Sequence, residues 1–234
     1  MKKLVLGHRG YTAKFHENTL ESFKKAFEFN ADGIETDIRM TKDDIPVLIH
    51  DDSILRISGK DMKIKDLTFE ELKNIKVFEN NNIPKLEEIF EIFPKDSFNN
   101  LEIKEVEVVE KTYSLSKKYF NLENILFSSF NVESLIKLRN LDSEVKIGLL
   151  IERVMTIEEI IELHKKINFY SLNIPVEITD HFPQEQIDLL LTKLRSANIK
   201  IAIWTLNTYE HFKIFEKHAD IIITDEVEKI KNWL

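Results

Sequence analysis

The 234-residue chain contains no cysteine. Disulfides, a thiolate nucleophile and Cys-ligated zinc or iron–sulfur centres are therefore excluded, and a reducing compartment is permitted. Glycine and proline are scarce, five of each, which argues against a disordered or low-complexity chain. No apolar run approaches the roughly 20 residues of a membrane helix, so no stable membrane insertion is expected. A long basic run is also missing and the formal net charge is −8. This balance disfavours nucleic-acid binding and weighs against docking on anionic membranes. Lys2 and Lys3 resemble the start of a signal peptide. The apolar stretch Leu4 to Leu6 is far too short to continue one, and His8 and Arg9 interrupt it. The expectation is a soluble, cytoplasmic protein; its oligomeric state is not legible.

What remains is an ordinary globular composition, 43% apolar and 32% charged, at a length that suits a single domain over residues 1–234. Short apolar runs alternate with amphipathic segments. The runs are LVLG (4–7), GIETDIRM (33–40), LEIK (101–104), NILFSS (124–129), KIGLLI (146–151), YSLNIP (170–175), KIAIWT (200–205) and DIIITD (220–225). Their length and β-branched content suit buried strands. A ninth run, PVLIHD (46–51), follows the second too closely for a parallel crossover and fits a hairpin. Helical patterns cover 19–29, 107–119, 131–140, 156–167, 183–197 and 208–217, and Asn18 with Glu21, like Thr68 with Glu71, has the spacing of a capping box. Eight strands alternating with helices predict an α/β fold, a closed (β/α)₈ TIM barrel. Residues 51–83 read as a small insertion after the second strand and its hairpin.

In such a barrel one side of each strand faces the interior and the other the helices, so strand charges belong at the open C-terminal rim. Glu35 and Asp37 are two apart and share a face, opposite Ile34, Thr36 and Ile38; Glu102 and Lys104 do the same on the next barrel strand. Three carboxylates on neighbouring strands repel one another unless a cation sits between them, and an all-oxygen site suits Ca²⁺ or Mg²⁺ rather than zinc. His8 ends the first strand and His50 the hairpin strand; two imidazoles can divide proton removal and proton supply. Arg9 and Lys104 add fixed positive charge suited to a phosphoryl oxygen.

The stretches GHRG (7–10), ENT (17–19), ADGIETDIRMTKDDIPVLIHDD (31–52), IPKLEEIF (83–90), LEIK (101–104), FSSF (127–130), WTLN (204–207) and IITD (222–225) run in order over almost the whole chain. Together they resemble the glycerophosphodiester phosphodiesterase family. The combination of HRG, ENT, E-x-D and HD at these spacings is specific; WTLN or IITD alone is weak. The resemblance implies a metal-dependent hydrolase with His8 and His50 as an acid–base pair. It further implies Glu35, Asp37 and Glu102 as ligands of a divalent cation, and Arg9 and Lys104 as phosphate holders. The implied reaction releases an alcohol and leaves sn-glycerol 3-phosphate, by attack of the neighbouring glycerol hydroxyl and opening of a cyclic phosphate by water. The sequence departs from the family pattern at His16, where proline commonly precedes ENT, and at Glu226–Val227, where a Pro-containing turn is usual.

Smaller expectations concern the rim. Glu17 is a candidate for the substrate pocket, Asn18 for a helix cap, and Trp204 for a pocket wall against glycerol. Ser128 and Ser129 suit rim hydrogen bonding better than nucleophilic attack. His164, His181, His211 and His218 fall in helical or loop segments and read as surface residues. The competing reading is a related barrel phosphodiesterase acting on lysophospholipids or phosphoinositides. It requires an apolar landing surface, and Ile54, Leu55, Ile57 and Met62 are the residues that offer one. A binding module that lost catalysis should have lost a histidine or a carboxylate, and all are present.

Overall fold

The computed structural model describes residues 2–153 and 155–234. Nine strands form one sheet: β1 Leu4–His8, β2 Gly33–Met40, β3 Pro46–Leu48, β4 Asn99–Ile103, β5 Ile125–Ser129, β6 Lys146–Leu150, β7 Ser171–Pro175, β8 Lys200–Trp204 and β9 Ile221–Thr224. The order β1-β9-β8-β7-β6-β5-β4-β2 is parallel throughout and closes through pairing of β1 with β2. This is a (β/α)₈ barrel. β3 lies outside the ring, antiparallel to β2, with Ile38 opposite Leu48. The tight turn between them places Asp44 at φ 58°, a left-handed position that Asp tolerates better than most residues.

Alternation along the strands divides the core. Val5, Ile34, Leu101, Phe127, Ile147 and Leu172 pack outward on the helices. Leu6, Leu126, Ala202, Ile221 and Ile223 form a separate cluster that closes the lower end of the interior. Above that plug the inward positions turn polar. Asn100, Ser128, Ser171 and Asn173 are all buried, and the charged residues follow at the rim.

The connecting helices are α1 Leu20–Glu28, α2 Leu55–Ser58, α3 Phe69–Leu72, α4 Leu86–Phe90, α5 Val109–Tyr119, α6 Val132–Leu141, α7 Ile157–Ile167, α8 Gln184–Ser196, α9 Tyr209–Phe215 and α10 Val227–Trp233. The expected capping box at Thr68 and Glu71 forms. The one expected at Asn18 and Glu21 does not: α1 is capped by Thr19, whose side chain accepts from Ser22 N. Asn18 is withdrawn to φ 51° and points inward. Three helices, α2, α4 and α10, lie outside the segments expected to be helical, and α3 is marked only by its capping box; all four are short and bury one to three side chains each.

Residues 51–83 fold over the rim beside β3. Ile54, Ile57, Ile64, Leu67, Leu72, Ile75 and Val77 form a cluster with Val47 and Ile49 that is distinct from the barrel core. Ile54 and Ile57 are therefore interior, and only Leu55 and Met62 of the expected landing surface are exposed.

Candidate active site

The first βα turn sets the site. Gly10 N donates to Gly7 O at 3.1 Å, Arg9 sits at φ 53° and Gly10 at φ 98°. A Cβ on Gly10 would lie 2.2 Å from Ser22 Oγ, so only glycine fits. The turn aims the Arg9 backbone N–H at Glu35 Oε2, 3.0 Å away, and swings the guanidinium over the mouth. There Arg9 Nε lies 3.2 Å from Asp37 Oδ2 without hydrogen-bond alignment, while Nη1 donates to Glu17 Oε1 at 3.1 Å.

Glu35, Asp37 and Glu102 are buried, and one carboxylate oxygen from each falls within 4.8 Å of the others. The registers Glu35↔Asn100 and Asp37↔Glu102 hold them side by side on β2 and β4. Lys104 Nζ reaches Asp37 Oδ1 at 3.2 Å and also binds Glu102. Asn18 Nδ2 donates to Asp37 Oδ2 at 2.9 Å, and Asn18 Oδ1 accepts from Thr36 Oγ1 at 2.7 Å. Withdrawn from the helix cap, Asn18 is thus a strut for the carboxylate.

Electrostatics separate the three acids. Burial pushes Glu35 up to about 8, reinforced by the neighbouring Asp37. Burial and Asp37 also raise Glu102 against the pull of Lys104. Burial acts upward on Asp37 too, but Lys104, Arg9, His50 and the Asn18 amide outweigh it and hold the group well below the usual carboxylate range. Two fixed cations, Arg9 and Lys104, leave three ionised carboxylates one negative charge in excess. An all-oxygen cluster that ionises fully only with added positive charge fits a hard divalent cation.

The two histidines stand on either side. His8 Nδ1 lies 2.8 Å from Asp225 Oδ1 and Nε2 lies 4.0 Å from Glu35 Oε2. Burial opposes charge on His8, but the Asp225 hydrogen bond and the Glu35 carboxylate outweigh it and raise its pKa. Asp225 accepts also from Thr12 Oγ1 at 2.6 Å and from Asn207 Nδ2 at 2.7 Å. Burial works against it, yet these partners bring its pKa down to about 2. His50 Nδ1 lies 2.8 Å from Asp51 Oδ1; burial lowers its pKa in spite of Asp37 and Asp51. In both rings the carboxylate partner fixes the proton on Nδ1 and leaves Nε2 for exchange.

The structure brings His8, Arg9, Glu35, Asp37, His50, Glu102 and Lys104 to one mouth. Glu17 reaches the same rim but is clamped by Arg9 and by Arg56, whose Nη1 and Nη2 donate at 2.8 and 2.7 Å. Trp204 is half-buried, edge-on to Phe130 with ring centroids 5.8 Å apart. Ser129 Oγ donates to Ile103 O at 2.7 Å. His16 stacks on Phe78 of the insertion at 4.6 Å, so the departure from proline re-shapes the loop. Asp225, Asp51, Arg56 and Asn207 were not singled out from the sequence. Asp225 ends the IITD run and Asp51 follows His50, so their strand-end positions were the available signal.

A (β/α)₈ barrel carrying a carboxylate triad, two carboxylate-oriented histidines and two cations at its C-terminal mouth is the architecture of a metal-assisted hydrolase. The sequence profile of the glycerophosphoryl diester phosphodiesterase family matches residues 8–229, and the chain belongs to that family. It is 33% identical to a glycerophosphodiester phosphodiesterase of Caldanaerobacter subterraneus subsp. tengcongensis, over 99% of this chain and 98% of that one. A crystal structure of a glycerophosphodiester phosphodiesterase from Thermotoga maritima superposes with a TM-score of 0.89 at 37% identity, covering 100% and 99% of the two chains. An Oleispira antarctica phosphodiesterase, solved in complex with the product sn-glycerol-3-phosphate, matches with a TM-score of 0.86 at 25% identity, covering 98% and 95%.

Proposed function

We propose that this chain hydrolyses small glycerophosphodiesters, such as glycerophosphocholine, to sn-glycerol 3-phosphate and an alcohol. The observation that carries the reading is the pair of histidines, shifted in opposite directions, flanking a buried carboxylate triad. Glu35, Asp37 and Glu102 would hold one Ca²⁺ or Mg²⁺, which supplies charge neutralisation for the phosphoryl oxygens. Arg9 and Lys104 bind those oxygens from the protein side and disperse the charge that builds in the transition state. His50, the more weakly basic imidazole, is neutral near pH 7 and removes the proton from the glycerol hydroxyl adjacent to the phosphate. That oxygen attacks phosphorus. His8, held as imidazolium by Asp225, gives its proton to the departing alcohol oxygen. The resulting cyclic phosphate is opened by water with the two roles exchanged, restoring both histidines. Glu17 and Trp204 border the glycerol end of the substrate. The chain acts as one barrel domain, with 51–83 as an insertion that completes the rim.

The test is product identification by phosphorus NMR. Glycerophosphocholine should yield sn-glycerol 3-phosphate and choline. Choline phosphate and glycerol would place the scission on the other ester bond and contradict the assignment of the leaving group.

A further inference from the structure

Arg39 is the last inward-facing side chain of β2. Period two puts it on the face of Glu35 and Asp37, nearer the mouth than either. Its bonds run sideways, to both segments that flank β2 at the rim. Nε donates to the His50 backbone carbonyl at 2.9 Å, and Nη1 donates to Glu105 Oε2 at 3.4 Å. Glu105 Oε1 accepts in turn from Met40 N at 2.7 Å. The Arg39 side chain is 16% exposed, so water screens these contacts only in part.

Both contacts begin where a strand ladder ends. β4 stops at Ile103. Lys104 N still reaches Ile38 O at 3.2 Å, and the next donor on that edge of β2, Met40 N, is met by the Glu105 carboxylate. β3 stops at Leu48. Ile49 N still reaches Asp37 O at 3.1 Å, and at His50 the chain leaves for the 51–83 insertion. Arg39 adds one more rung there, made by a side chain. The insertion has its own apolar cluster, distinct from the barrel core, so any motion of one against the other would carry His50 with it. Asp51 Oδ1, 2.8 Å from His50 Nδ1, restrains the ring but belongs to the same departing segment.

We propose that Arg39, steadied by Glu105, is a positioning residue that pins the His50 backbone to the end of β2 and so sets where the imidazole stands over the carboxylate triad. The inference rests on the reading of His50 as the base that removes the glycerol proton. Proton removal needs the two heavy atoms within about 2.6–3.2 Å, and a misplacement of about 1 Å can cost about 10²-fold in rate. Asp51 sets how the ring is turned; Arg39 sets where the residue stands. Arg39 shares β2 with Glu35 and Asp37, and Glu105 follows Lys104. The pin therefore refers His50 to the strand ends that carry the triad and the phosphate-holding lysine. Any cation would not serve. One planar fork reaches two acceptors on opposite edges of β2, from Nε and Nη1, whereas a lysine ammonium is a single point.

The experiment compares wild type, Arg39→Met, Arg39→Lys and Glu105→Gln, each loaded with its cation. It reads steady-state kinetics on glycerophosphocholine and the imidazole proton–carbon NMR signals. The His50 signal is identified by its absence from His50→Ala, and that of His8 by its absence from His8→Ala. Arg39→Met keeps the aliphatic stem and removes every donor. It should lower kcat by about 10–100-fold while KM stays within about twofold, and it should move the His50 signal but not that of His8. Arg39→Lys keeps the charge and loses the fork, so its kcat should also fall. Glu105→Gln should act in the same direction by less, because Arg39 keeps its bond to His50; these two milder variants carry the test if Arg39→Met does not fold. Wild-type kcat in Arg39→Met would overturn the proposal. Full activity in Arg39→Lys would show a need for charge alone and would overturn it too. A rise in KM at constant kcat would make Arg39 a substrate-binding cation, and a fall in kcat with an unmoved His50 signal would place the effect elsewhere; either contradicts the pin. If wild type does not hydrolyse glycerophosphocholine, the reading of His50 as the base fails separately. The His50 signal then decides alone: moved in Arg39→Met it supports the pin, unmoved it overturns it.

Discussion

At the residue scale, the proposed division of labour between the histidines rests on what each ring touches. His8 is backed by Asp225, itself held ionised by Thr12 and Asn207. His50 leans on Asp51 but is depressed by burial. The account needs His50 neutral and His8 protonated. Activity is therefore lost as pH falls through the pKa of His50, below the ordinary value, and lost as pH rises through that of His8, above it. Asp225→Asn removes the charge that raises His8, so the alkaline limb of the kcat/KM profile should move to lower pH while the acid limb stays. A shift of the acid limb instead would reverse the two roles. His8→Ala and His50→Ala should each lower kcat by about 10²–10⁴-fold with an unchanged circular dichroism spectrum.

At the element scale, short connections aim the side chains. The turn after β1 depends on Gly10: Gly10→Ala meets both the positive φ and Ser22 Oγ, and should lower stability by about 1–3 kcal/mol, read as a drop in the denaturant midpoint. The insertion is tied to that turn through Arg56, which holds Glu17 bidentately and Asp51 Oδ2 at 2.6 Å. Arg56→Ala should release Asp51 and let His50 wander, lowering kcat about tenfold with little loss of stability, because Arg56 is itself partly exposed. An unchanged kcat would show that the insertion does not position His50. These ties explain what the sequence concealed. Glu35, Asp37, Glu102 and Lys104 were legible because charge is anomalous on a barrel strand, and His8 and His50 because they end strands. Asn18 misled: its spacing to Glu21 satisfies a capping box, but a buried Asp37 competes for the amide, and the neighbouring Thr19 takes the cap. Arg56 lies in an insertion with no strand periodicity to mark it, and α2, α4 and α10 are too short to show a helical stripe.

At the scale of the whole molecule, the barrel concentrates its electrostatic strain at one end. The interior below is filled by Leu6, Leu126 and Ile223, while the mouth carries a buried triad whose Glu35 is raised to about 8 and whose Glu102 is also raised. A carboxyl whose folded pKa exceeds its unfolded one contributes stability at low pH that is lost as pH rises through the folded value. The cation-free protein should therefore become less stable as pH climbs from about 4.5, the ordinary glutamate value, toward about 8. Added Ca²⁺ or Mg²⁺ at about 100 times its Kd should restore about 2.7 kcal/mol, or roughly 5–10 °C in Tm for a chain of this size. Glu35→Gln should abolish the cation effect and weaken the pH effect, leaving only the part carried by Glu102. A Tm independent of pH and cation would separate the triad from metal binding. Among the described residues no helix is long and apolar enough to cross a membrane.

The most direct measurement is release of sn-glycerol 3-phosphate from glycerophosphocholine by chelator-treated protein, before and after Ca²⁺ or Mg²⁺ is returned, with His50→Ala in parallel. The account predicts no release under chelation, recovery with one of the two cations, and none at any cation level in His50→Ala. Release that persists under chelation, or that survives the loss of His50, would contradict it.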